Sequence, residues 1–244
     1  MASYQYTRGT TPQPEQPEPQ QPMTKKKKWE NFWFYHKWHV IIAAAVLVIV
    51  AMLVSDIVNQ EHPDYEIGVL THGSLPTGAL ATLEEELARF ADDRNGDGTV
   101  LVRLMQYDFP DNGDANTIMA STTRLSGDLE TGECVFYLVD DVEYFQQKFG
   151  FFAYNDGTRT PEEGPYDWDE LGIPWRDCPA LTGLDLGKIP TLDDTDVGDV
   201  QDLLQDYKLV RRAVQGSQIE KKEKLVAYMA DGQKLLEALT AQEG

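Results

Sequence analysis

Two sets of residues in this chain have types and spacings that could do chemistry. The first is DRNGDG at positions 93–98, where Asp93, Asn95 and Asp97 alternate ahead of glycines. Short oxygen-bearing side chains at alternate positions, with glycine in the sixth, are how a calcium loop wraps a hard cation. The twelfth position is Leu104, so the bidentate carboxylate that closes such a loop is missing. The expectation is a helix-to-strand turn in which Asn95, Gly96 and Gly98 supply tight or left-handed conformations. No cofactor is expected beyond a weakly held calcium ion.

The second set becomes a set only if the chain folds as a sheet with crossovers. His72 and Ser74 would then follow one strand, Asp108 a second, and Asp140 and Asp141 a third. They would share the carboxyl edge, where ligands of α/β proteins usually sit. Tyr154, Trp168 or Trp175 could close over that edge and stack on a small-molecule ligand. Apolar cover of the sheet is the plainer role for such rings. Trp175 lies amid Ile173, Pro174 and Leu181 and reads as cover, whereas Trp168, between Asp167 and Asp169, reads as the exposed ring.

Catalytic patterns are thin. His72, Ser74 and Asp140 hold the residue types of a serine hydrolase, but the Gly-x-Ser-x-Gly elbow that presents such a nucleophile is missing. His36, His39 and His62 lack metal spacing, and there is neither a phosphate loop nor a dinucleotide fingerprint. The expectation is binding or scaffolding without catalysis. A solute receptor working with an importer and a hydrolase without recognisable motifs stay open as alternatives.

The elements that would position these residues follow from periodicity. Strands are predicted over residues 65–70 (YEIGVL), 100–105 (VLVRLM) and 134–139 (CVFYLV). Between them Leu80, Leu83, Leu87 and Phe90 recur at helical spacing, and a weaker helix over 114–125 carries Ile118, Met119, Thr122 and Leu125. A short helix runs through Phe145 and Phe149. Residues 150–194 hold no period and are rich in Pro, Gly, Asp and aromatics, so they read as a long irregular loop, functional or loosely ordered. A helix with Val197, Val200 and Leu204 on one face, a returning strand at 207–214 and a closing helix to about Leu239 complete the chain. Ser217 and Glu220 are predicted to cap that last helix as a capping box. The alternation predicts an α/β domain of three layers, α/β/α, around a mostly parallel sheet.

Address is the clearest signal. Residues 40–54 are an unbroken apolar run of 15, about 22 Å of helix. With their flanks, residues 38–58 reach the roughly 30 Å of a bilayer core. Trp29, Phe32, Trp33, Phe34, Tyr35 and Trp38 crowd one end beside Lys25, Lys26, Lys27, Lys28 and Lys37; Asp56, Glu61, Asp64 and Glu66 follow the other. Basic flanks stay inside, so the amino terminus is expected in the cytoplasm and residues beyond about 59 outside. The flank after the run has no small-x-small cleavage site, which favours a retained signal anchor over a cleaved signal peptide. The domains expected are a disordered Pro/Gln-rich tail with its lysine cluster (1–28), the aromatic-flanked anchor (29–58) and an extracytoplasmic domain (59–244).

Charge divides at the same point. Residues 1–58 carry six basic and four acidic side chains, whereas residues 59–244 carry 15 and 37, a net of −22. That excludes nucleic acid and anionic lipid surfaces as partners of the outer domain, since both need basic patches. The bilayer is the anchor's partner, and a small cationic ligand or an envelope protein suits the domain. Cys134 and Cys178 both fall in the outer part, where a disulfide is allowed. Spacing leaves a bridge and two free thiols open.

The order from residue 65 to 139 resembles the first lobe of the extracellular solute-binding proteins of ABC importers. The resemblance is carried by LPTGALATLEEELARFADDRNGDGTVLVRLMQY and ANTIMASTTRLSGDLETGECVFYLVDD. It implies a truncated periplasmic-binding-protein-like lobe, a solute ligand and an importer partner. The anchor stretch FWFYHKWHVII is similar to the start of single-pass membrane proteins of Gram-positive anaerobes, which implies location only.

Overall fold

The structure is a computed structural model that describes residues 24–58, 62–189 and 198–241. The Pro/Gln-rich tail through residue 23 and the predicted helix position Val197 lie outside the described residues. The chain divides into two units, Met1–Gln60 and Glu61–Gly244. In the first, helix α1 (Lys25–Val58) has 34 residues, about 51 Å of helix. It contains the one helix among the described residues that is long and apolar enough to cross a membrane, and residues 25–55 are exposed along their whole length.

The second unit is a mixed α/β domain. Strand β1 (Tyr65–Thr71) lies centrally, parallel to β2 (Val102–Asp108) on one side and to β3 (Cys134–Val139) on the other. Helices α2 (Thr77–Ala88) and α3 (Ala115–Thr131) make the crossovers. After α4 (Val142–Phe149), the two-residue strands β4 (Phe152–Ala153) and β5 (Ile173–Pro174) lead to short helices α5 (Pro179–Thr182) and α6 (Val200–Leu204). Strand β6 (Lys208–Arg212) and helix α7 (Glu223–Thr240) end the fold.

The expectation of a mostly parallel sheet is corrected here. The sheet order is β2-β1-β3-β6-β4, with β5 also on β6. β6 runs antiparallel to β3, β4 and β5, so three of the five pairings are antiparallel. β4 still points the same way as β3, as a crossover through α4 requires. β6 slots between them from the opposite direction, so the late strand turns a parallel array into a mixed one.

Apolar side chains pack on both faces of the sheet. Ile67, Leu104, Phe136, Leu138 and Leu209 meet α2, α5, α6 and α7 on one face; Leu70, Tyr107, Tyr137, Val139 and Val210 meet α3 and α4 on the other. The two faces stay in register because β3 carries a bulge. Glu66 pairs with Cys134, yet Gly68 pairs with Tyr137, so β3 spends one residue more than β1. The bulge lays the Tyr137 ring over Gly68, where an added Cβ would sit 2.2 Å from a ring carbon. Cys134 and Cys178 are free, buried thiols in the separate clusters of the two faces. Burial pushes their thiols up to about 12 and about 11.

Several boundaries differ from expectation. β2 begins two residues later than predicted; at its entrance the Leu101 N–H donates to the Asp64 side chain at 2.9 Å and not to a neighbouring strand. The predicted capping box does not open α7. Glu220 accepts from Gly216 N at 2.8 Å, Ser217 Oγ accepts from Ile219 N at 3.2 Å, and the helix starts at Glu223. Those side chains close a turn ahead of the helix. The stretch read as an irregular loop holds β4, β5, a single 3-10 turn (Trp175–Asp177) and α5.

Candidate functional site

The carboxyl ends of β1, β2 and β3 are tied together by side chains that the strand ends deliver. Thr71, the last residue of β1, is buried. Its hydroxyl lies 2.8 Å from the Tyr207 hydroxyl and donates to Asp140 Oδ2 at 3.1 Å. The same carboxylate oxygen accepts from the His72 backbone N–H at 2.6 Å, and Asp140 Oδ1 lies 3.1 Å from His72 Nδ1. Asp140 thus fixes the direction in which the chain leaves β1. The His72 ring packs edge-on against Tyr144 at 4.7 Å and beside Phe145 at 5.3 Å, with Nε2 4.0 Å from Asp111. Burial pushes the Tyr207 phenol up to about 12; the Thr71 hydrogen bond opposes this, and the charges of Asp140 and Asp108 add to it.

β2 joins through Gln106. Its amide donates to Asp108 Oδ1 at 2.7 Å, and its carbonyl accepts from Leu75 N at 3.2 Å in the loop after β1. Asp141, two residues past β3, caps α4 by accepting from Tyr144 N at 2.9 Å. A cleft of about 260 Å³ opens beside these groups, lined by Asp140, Asp141, Glu143, Trp168, Asp206 and Lys208. Four carboxylates and one ammonium line it; Asp206 Oδ1 accepts from Arg176 Nη2 at 3.1 Å, and the ammonium donates to the Trp168 carbonyl at 3.2 Å. Trp168 is half-buried and stacks at a tilt on Tyr166, with centroids 4.9 Å apart.

The cleft's chemistry favours a cation. Excess carboxylate charge and an aromatic face converge, and a desolvated ammonium over a tryptophan ring gains from both. The His72–Asp140 pair has the form of a base and its orienter. Ser74 is exposed, however, and among the described residues no hydrogen bond joins it to His72.

The expected site residues fall into three groups. Asp140, Asp141 and Trp168 line the cleft, and His72 and Asp108 belong to the network behind it. Tyr154 borders a separate open depression beside Trp168, its hydroxyl accepting from Asp167 N at 3.3 Å. Ser74 stands apart. Trp175 is buried in the other face of the domain and donates from Nε1 to Gln201 Oε1 at 2.8 Å. Sequence reasoning missed Tyr207 and Lys208. An aromatic and a lysine opening a returning strand were the available signal, since a strand that returns must start at this edge.

The calcium-like segment folds on itself. Asp93 Oδ1 accepts from Gly96 N at 2.7 Å and Oδ2 from Gly98 N at 2.9 Å; Asn95 and Asp97 accept from Asp97 N and Thr99 N, each at 2.8 Å. Buried Asp64 anchors the turn from within, accepting from Arg94 N at 2.8 Å and from Asn95 N and Leu101 N at 2.9 Å. Gly96 and Gly98 have positive φ, 75° and 90°. Oxygens that would ligate a cation thus already serve backbone donors, and among the described residues no group of three or more His, Cys, Asp or Glu could hold a metal ion.

Comparison with protein-family models, with curated proteins and with solved structures finds no match for the chain.

Proposed function

We propose that the chain is a membrane-tethered binding module whose carboxyl-edge cleft takes an amine-bearing cation, without catalysis. One observation carries this reading: Asp140, Asp141, Glu143 and Asp206 line one cleft with a half-buried tryptophan and a single lysine, and among the described residues only Asp206 of the four also pairs with an arginine, Arg176. The network behind the cleft supports a rigid site, because Asp140 is held by three donors and cannot swing away to neutralise itself elsewhere. The excess of acidic residues in 59–244 adds long-range attraction for a cation.

In this reading α1 spans the bilayer with its lysine-rich end in the cytoplasm, and the domain works outside as a single binding lobe. The ligand is a small solute amine or a basic segment of an envelope protein. Charge selectivity is the test: a dication must bind where an uncharged isostere does not. Orientation is tested separately with an impermeant thiol reagent on intact cells. Labelling of a Ser3→Cys protein and protection of a Gly244→Cys protein would refute the proposed topology.

A further inference from the structure

A second cavity lies on the face of the sheet covered by α7, three residues along β6 from Lys208. It measures about 110 Å³, and Val135, Phe136, Arg211, Val214, Met229 and Leu236 line it. Aliphatic side chains form one wall, Arg212 and Gln233 also line it, and the Arg211 side chain, 13% exposed, is set among them. Nε and Nη1 of that guanidinium are buried without a hydrogen-bond partner, and Nη2 reaches the exposed Glu237 carboxylate only at 3.5 Å. Gly157 and Gln233 border the cavity and are exposed.

A buried guanidinium with idle N–H groups is costly to fold around, and charged groups are kept inside proteins where something compensates them. No described side chain supplies that compensation at Nε or Nη1. The missing partner must be an acceptor, must carry negative charge to match Arg211, and must tolerate an aliphatic wall. The volume sets its size: somewhat below the roughly 150 Å³ that admits benzene, and enough for several waters or three to four carbons.

We propose that this cavity binds a small monocarboxylate of short aliphatic chain. Its carboxylate accepts from the free Arg211 N–H groups, and its alkyl tail lies against Val135, Met229 and Leu236. Charge-assisted hydrogen bonds of this kind are the strong ones, and the tail displaces water from an apolar wall. The site is independent of the acidic cleft and takes a ligand of opposite charge.

The test uses the full chain in nanodiscs with sodium butyrate as probe, read by ligand-observed saturation-transfer NMR and by thermal shift. Butanol supplies the tail without the charge, and sodium chloride the charge without the tail. Saturable butyrate binding at least about tenfold tighter than butanol, lost in Arg211→Gln, is the expected result. Glu237→Gln removes the carboxylate that competes for Nη2 and should tighten butyrate several-fold; this residue is exposed, so that variant keeps its fold. Butyrate binding no better than butanol or chloride would show that water alone fills the cavity. Unchanged butyrate affinity in Arg211→Gln, or weakened affinity in Glu237→Gln, would equally overturn the proposal.

Discussion

Asp140 and His72, 68 residues apart, are joined twice, once through the His72 backbone N–H and once through its ring. One side chain at the end of β3 therefore sets both the path and the ring orientation of the loop after β1. These two bonds hold the polar edge in one conformation. Asp140→Asn presents an NH₂ where the carboxylate now accepts. It should cost about 1–3 kcal/mol, measured by urea denaturation. Stability equal to the parent would mean that the edge is held by packing alone.

The two loop tryptophans separate cover from contact. Trp175 is buried against both the core and Gln201, so Trp175→Ala should lose about 3–5 kcal/mol. Trp168 is half-buried at the cleft, and Trp168→Ala should lose under about 1 kcal/mol. Thermal melts of the two variants check this, and the reverse order would exchange their roles.

Much of this division was legible in the sequence. Six consecutive apolar residues bracketed by turn residues located β3, Cys134–Val139, to the residue. The setting of Trp175 among apolar neighbours and of Trp168 among aspartates foretold which ring would be covered. The antiparallel insertion of β6 was not legible, because which strand pairs with which is decided by contacts distant in sequence. Asp141 was read as a ligand group only, yet it also caps α4; a helix cap and a strand-end carboxylate look alike in sequence. Ser217 and Glu220 have capping-box spacing, and their bonds close a turn instead.

The bulge in β3 creates a tight contact that can be tested. Gly68→Ala drives a methyl group into the Tyr137 ring, and overpacking of this kind costs about 1–3 kcal/mol. Tyr137→Ala removes the ring and should make the same glycine change harmless. A double-mutant cycle by chemical denaturation measures the coupling, and simple additivity would contradict the contact.

Stability should also depend on pH through the opposite edge of the sheet. Burial, then repulsion from Glu133, raises the Glu66 carboxyl above its ordinary 4.5, and Glu66 Oε2 is buried without a hydrogen bond. Glu133 is raised too, first by burial and then by Asp128. The native state therefore keeps protons that the unfolded chain releases, so stability falls as pH rises from 4.5 through the raised values. Glu66→Gln should be more stable than the parent at neutral pH, with the gap closing as pH drops below 4.5. Urea midpoints across pH check this, and a gap independent of pH would refute it.

The most direct test of the binding role is a titration of the full chain in nanodiscs with putrescine, butanediol and succinate. Fluorescence of the parent and of Trp168→Phe isolates the signal of the cleft ring. The account predicts saturable putrescine binding that weakens as salt screens the carboxylates. It also predicts a loss of about tenfold in an Asp206→Asn, Glu143→Gln double variant, which leaves the Asp140 network untouched. Equal responses to putrescine, butanediol and succinate, or a double variant that binds putrescine as the parent does, would contradict it.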